Sequence, residues 1–102
     1  VSLDQNKIEL DHFELFQNYP NPFNSKTTIN FFVPNNIAYD FRIFNLKGKF
    51  IKLIDSGIGM NQNIFIEWDA TDDLGQNVPS GFYIGKLETD NHSKNIKMLL
   101  LK

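Results

Sequence analysis

Apolar and polar residues alternate with a period of two along most of this chain, and the alternation breaks at short intervals on proline, glycine or asparagine. In residues 27–33, Thr27, Ile29, Phe31 and Val33 fall on one face and Thr28, Asn30 and Phe32 on the other, before Pro34-Asn35-Asn36 turns the chain. Tyr39, Phe41 and Ile43 then alternate with Asp40 and Arg42. The turn Asn45-Leu46-Lys47-Gly48, with Gly48 free to take a positive φ, returns the chain antiparallel through residues 50–54. Residues 56–63, with Gly57 and Gly59, read as a loop. Ile64, Ile66 and Trp68 alternate with Phe65 and Glu67, a turn-rich connection spans 69–80, and further strands are expected at 82–87 and 95–101. No stretch offers helical periodicity over three turns. Counting residues 15–24 as a partial edge strand, the pattern predicts an all-β, immunoglobulin-like antiparallel β-sandwich of about seven short strands.

Residues 15–24, Leu-Phe-Gln-Asn-Tyr-Pro-Asn-Pro-Phe-Asn, can be neither helix nor a paired strand. Pro20 and Pro22 lack N–H donors and hold φ near about −65°, and each biases the residue before it, Tyr19 and Asn21, toward extended geometry. Asn18, Asn21 and Asn24 are suited to bonding backbone, while Tyr19 and Phe23 are apolar surfaces costly to leave in water. A stiff arm is therefore expected to lie along the sandwich, plug its edge and pack both rings onto it. Residues 1–12 read as a linker and 13–102 as the domain.

The 102 residues leave room for one domain, and ten phenylalanines supply a large core from few positions. A net charge of −2 with interspersed signs gives no footprint for nucleic acid and no polybasic membrane patch. The absence of cysteine excludes a disulfide framework and any thiolate metal site. The longest apolar run, residues 98–101, is far short of a bilayer span, so no membrane insertion is expected.

Catalysis is disfavoured by inventory. The two histidines, His12 and His92, sit in polar segments, and sequence neighbours such as Asp11-His12 or His92-Ser93 point to opposite faces of an extended backbone. Glu67, Asp69, Asp72 and Asp73 could furnish paired carboxylates, but glycoside hydrolysis needs a cleft that larger domains build. Asp69-x-Thr71-x-Asp73-x-Gly75 echoes a calcium loop, yet Leu74 stands where the sharp-turn glycine belongs and Ser80 where the bidentate acid belongs. Asx-turn chemistry is the expected use of these side chains, and no cofactor is expected. Lys47-Gly48-Lys49 lacks the spacing of a phosphate loop, and Asn91-His92-Ser93 is a glycosylation pattern short enough to recur by chance. Trp68 shares a face with Ile64 and Ile66, which favours core burial over a sugar-stacking platform; Tyr83 is expected with it in the core.

The arm, followed by Trp68-Asp69, Gly75, Ser80-Gly81-Phe82-Tyr83 and the ending Lys97-Met98-Leu99-Leu100-Leu101-Lys102, resembles the C-terminal sorting domain of type IX secretion cargo proteins over roughly residues 13–102. Ser25, Asn45 and Ala70 depart from the family's usual proline, aspartate and glycine. The resemblance implies a non-catalytic secretion signal that directs a larger cargo through the periplasm and across the outer membrane to the cell surface or medium. Its implied partners are the type IX machinery and the upstream cargo domain, whose signal peptide would lie before Val1. The machinery would read Lys94, Lys97, Met98, Leu99, Leu100, Leu101 and Lys102, helped by the arm residues Gln17, Asn18, Tyr19, Pro20, Asn21, Pro22, Phe23 and Asn24. A last strand at a sheet edge would offer backbone groups for strand addition. The rival readings are a structural or adhesive immunoglobulin-like module and a carbohydrate-binding module.

Overall fold

The computed structural model describes residues 13–102. The linker expected at 1–12, with His12, lies outside the described residues. Seven strands follow in order: β1 (Glu14–Leu15), β2 (Thr27–Val33), β3 (Ala38–Asn45), β4 (Phe50–Ile58), β5 (Gln62–Trp68), β6 (Gly81–Thr89) and β7 (Ser93–Leu100). They form two antiparallel sheets, β1-β2-β5 and β4-β3-β6-β7. The fourth strand thus lies beside the third, unlike the constant-type immunoglobulin arrangement, which pairs it with the fifth.

The alternation does what the sequence demands of it. Thr27, Ile29, Phe31 and Val33 of β2 face inward with Phe41, Ile43, Trp68, Leu87, Met98 and Leu100, and all are buried. Phe31 stacks on Phe41 across the two sheets at 5.8 Å with the rings 3° from parallel. Gly85 makes room for that pair, since a Cβ there would come within 2.6 Å of the Phe41 ring. Trp68 is wholly buried between Phe23 and Tyr83, at ring-centroid distances of 5.7 and 5.1 Å. Its indole N–H donates to the Thr71 carbonyl at 2.9 Å, so burial leaves no polar atom unsatisfied. The Tyr83 hydroxyl, near the start of β6, donates back to the Pro79 carbonyl at 2.6 Å, the tyrosine-corner contact of immunoglobulin-like sandwiches.

Two local expectations need correction. Residues 56–58 belong to β4, not to a loop, and only residues 59–61 separate it from β5. Gly57 reads as a breaker in sequence; in the sheet it sits opposite Tyr39, and a Cβ there would meet the Tyr39 hydroxyl at 3.1 Å. The first strand is Glu14–Leu15, just ahead of the proline-rich segment and paired to Phe32 and Phe31. Gly48 has φ of +83°, as its turn requires.

Candidate functional site

The arm and the last strand meet along one edge of the four-stranded sheet. Tyr19 exchanges two backbone bonds with Thr28 at 2.9 Å, which fixes the start of the arm to β2. The arm then bends through residues 20–22, with both Xaa-Pro peptides cis, and crosses to β7, so it is not extended throughout. There the Phe23 N–H donates to the Leu99 carbonyl at 3.0 Å and the Leu101 N–H donates to the Phe23 carbonyl at 2.9 Å.

Each amide side chain of the arm has a distinct partner. Gln17 donates to the Lys97 carbonyl at 2.8 Å and to the Asn18 side-chain oxygen at 2.6 Å. Asn18, 2% exposed, donates to the Pro20 carbonyl and to the Thr27 hydroxyl, which itself donates to Pro20. Asn21 accepts the Leu99 N–H at 2.9 Å, and Asn24 donates to the Leu101 carbonyl at 3.3 Å. These contacts satisfy backbone groups that a lone pyrrolidine-rich segment would leave without partners. They also occupy the outer edge of β7 from 97 to 101, which the sequence reading left open for strand addition.

Phe23 is 3% exposed and packs on Trp68, whereas Tyr19 is 81% exposed. The expectation that both rings pack onto the sandwich holds for Phe23 and fails for Tyr19. Tyr19 is tethered through its backbone alone, and nothing turns its ring inward. Among the tail residues, Met98 and Leu100 face the core and are wholly buried. A receptor touching the folded domain can reach Lys94, Lys97, Leu101 and Lys102, which are exposed, and the half-buried Leu99. The Lys97 ammonium sits 4.6 Å above the Phe82 ring, and Lys94 donates to the Phe13 carbonyl at 2.8 Å. The Lys102 N–H donates to the Ser80 hydroxyl at 2.9 Å. Thr27 and Phe13, both buried, thus support this surface from beneath, and Ser80 flanks it; Thr27 was signalled by its inward face and Ser80 by the Ser80-Gly81-Phe82-Tyr83 string, while nothing in the sequence marked Phe13.

The other candidate groups are engaged in structure. His92 meets the edge of Phe13 at 6.1 Å. The Asp72 carboxylate accepts the N–H groups of Leu74 and Gln76, both at 2.9 Å, in an Asx turn, and Asp73 accepts the Leu53 N–H. The Thr71 hydroxyl donates to Asp69 and holds its carboxyl below the usual range against a smaller opposing effect of burial, with help from the Lys52 ammonium at 3.8 Å. Among the described residues no cluster of three or more His, Cys, Asp or Glu could hold a metal ion. A surface depression of about 490 Å³ is lined in part by Asp40 and Glu88, both paired to Arg42. Trp68, being buried, cannot serve as a stacking platform for sugar.

Comparison with known proteins gives a family and a fold. The family model described as a secretion system C-terminal sorting domain matches residues 17–102. The crystal structure of dimeric latent PorU from Porphyromonas gingivalis superimposes with a TM-score of 0.68 at 18% identity, over 87% of this chain and 9% of that one. PorZ, described as an essential bacterial surface component of the type IX secretion system of the same organism, superimposes with a TM-score of 0.56 at 22% identity, over 92% of this chain and 12% of that one. This chain therefore spans a small part of the length of both, and at these identities the likeness is one of fold. No curated protein matches the chain.

Proposed function

Because the chain belongs to the family of secretion system C-terminal sorting domains, the C-terminal secretion signals of type IX secretion, we propose that it carries an upstream cargo through the periplasm to the type IX machinery at the outer membrane without catalysing a reaction or binding a cofactor. The family is one of sorting signals whose cargo reaches the cell surface or the medium. The machinery reads side chains on the composite surface where arm and tail meet: Lys94, Lys97, Leu99, Leu101 and Lys102, framed by Gln17, Asn21 and Asn24. The observation that carries this reading is the set of hydrogen bonds that closes the outer edge of β7 with the arm. A strand whose edge is already paired offers side chains more readily than backbone. Met98 and Leu100 act indirectly, by holding the tail in the core.

The test is a soluble reporter carrying a signal peptide and fused ahead of residues 13–102, expressed in a bacterium with a working type IX system. Surface or extracellular reporter that is lost when the system is disabled supports the reading. Reporter retained in the periplasm while the domain is folded refutes it.

A further inference from the structure

The two sheets have four edges, and three are blunted. β1 is two residues long. β7 is capped by the arm. The Ile51 carbonyl of β4 accepts the Asp73 N–H at 3.0 Å, and the pairing of β4 with β3 is interrupted by register shifts. These are devices by which sheets avoid pairing with other chains. β5 has none of them. It pairs with β2 in unbroken register from Gln62 to Trp68, contains neither lysine nor proline, and among the described residues no backbone bond reaches its outer side.

The ladder shows which groups that edge presents. Thr28 exchanges its bonds with Tyr19, and the Asn30 carbonyl accepts the Phe16 N–H, so the even residues of β2 face the arm and the odd ones face β5. Ile29 and Phe31 therefore bond to their partners Ile66 and Ile64. Asn63, Phe65 and Glu67 are left pointing both N–H and C=O outward. Their side chains lie on the exposed face, where Phe65 is 67% exposed.

We propose that this edge pairs with the same edge of a second copy of the chain, antiparallel about Phe65. The sequence Asn63-Ile64-Phe65-Ile66-Glu67 is nearly palindromic, and in that register it is complementary to itself. Phe65 faces Phe65, Ile64 faces Ile66, and the Asn63 amide faces the Glu67 carboxylate as a hydrogen-bond donor to an acceptor, with no like charges opposed. Every outward backbone group of the three odd residues gains a partner in the narrow pairs, and the two three-stranded sheets become one continuous sheet. The contact is isologous and closes on itself, so it yields a dimer and not a fibre. A second copy suits this edge because no other partner is required to supply the matching pattern.

Sedimentation of the 102-residue chain over rising concentration tests the proposal. The expected result is a monomer–dimer equilibrium evident by about 1 mM, with Phe65→Lys raising the dissociation constant by about tenfold or more and leaving the thermal melt unchanged. Phe65→Cys should be joined to its copy by a short bis-maleimide linker, because residues opposed in a hydrogen-bonded pair lie about 5.5 Å apart at Cα, with side chains on the same exposed face. Leu74→Cys, on an exposed turn, should not. A chain that stays monomeric over the whole range, including one whose edge instead accepts a strand of another protein, overturns the proposal. So does a dimer indifferent to Phe65→Lys, or equal cross-linking of the two cysteine variants.

Discussion

Trp68 touches Phe23 of the arm and Tyr83 of β6, so removing its ring opens a cavity where three parts of the chain meet. Trp68→Ala should cost about 3–5 kcal/mol in chemical denaturation, the usual loss for a buried aromatic; a loss below about 1 kcal/mol would mean the ring is not packed. Asn45 makes a finer point. Its side-chain oxygen accepts the N–H groups of Lys47 and Lys49, both at 2.9 Å, and either a carboxylate or an amide oxygen meets that need. Asn45→Asp should leave the melting temperature within error, while Asn45→Ala should lose about 1 kcal/mol. The family's usual aspartate is thus explained by the turn, and so is its usual glycine at Ala70, whose φ is +62°. The inward side chains of β2, β3 and β5 were legible because period-two alternation reports a face directly. The buried bond from Asn18 to Thr27 was not, because nothing local distinguishes a buried asparagine from a turn-capping one.

At the scale of elements, the arm behaves as part of the fold through its backbone and Phe23. Limited proteolysis should therefore spare residues 15–24 despite the exposed Tyr19, since cleavage needs a chain that can leave the β2 and β7 ladders. Rapid cutting after Phe16 or Phe23 in the folded protein, bonds that carry no proline on the leaving side, would contradict that account. The sequence already implied a stiff segment that closes an edge, because proline arithmetic is local. Which edge it closes depends on the crossing from β2 to β7, a long-range choice that no local pattern encodes. β3 supplies a second test. The Tyr39 hydroxyl donates to Asp55 at 2.9 Å, and burial first, then that bond and the carboxylate charge, push its pKa from 10.0 up to about 12. A pKa raised on folding stabilises the fold below the unfolded value and loses that contribution as pH rises through the folded one. The part of stability due to Tyr39 should thus persist to about pH 10 and disappear by about pH 12, and Tyr39→Phe should remove that step from an alkaline denaturation profile. Spectrophotometric titration should show one tyrosinate forming near pH 12 that is missing from the variant.

For the molecule as a whole, strand number and sheet architecture follow from alternation and turns, while export follows from family membership and would not follow from the fold alone, since sandwiches of this kind serve many purposes. The residues proposed to act in export divide by burial. Deleting 97–102 removes Met98 and Leu100 from the core, so it should unfold the domain as well as removing the proposed address. Single changes on the exposed side separate the two effects. The most direct measurement is the ratio of surface to periplasmic reporter for Lys97→Glu with Leu101→Asp, beside Leu74→Asp as a control at an exposed apolar site away from the arm and tail, each with its own thermal melt. The account predicts export reduced about tenfold or more for the tail variant at an unchanged melting temperature, with the control exported normally. Full export of a folded tail variant would contradict the claim that the arm-and-tail surface is what the machinery reads.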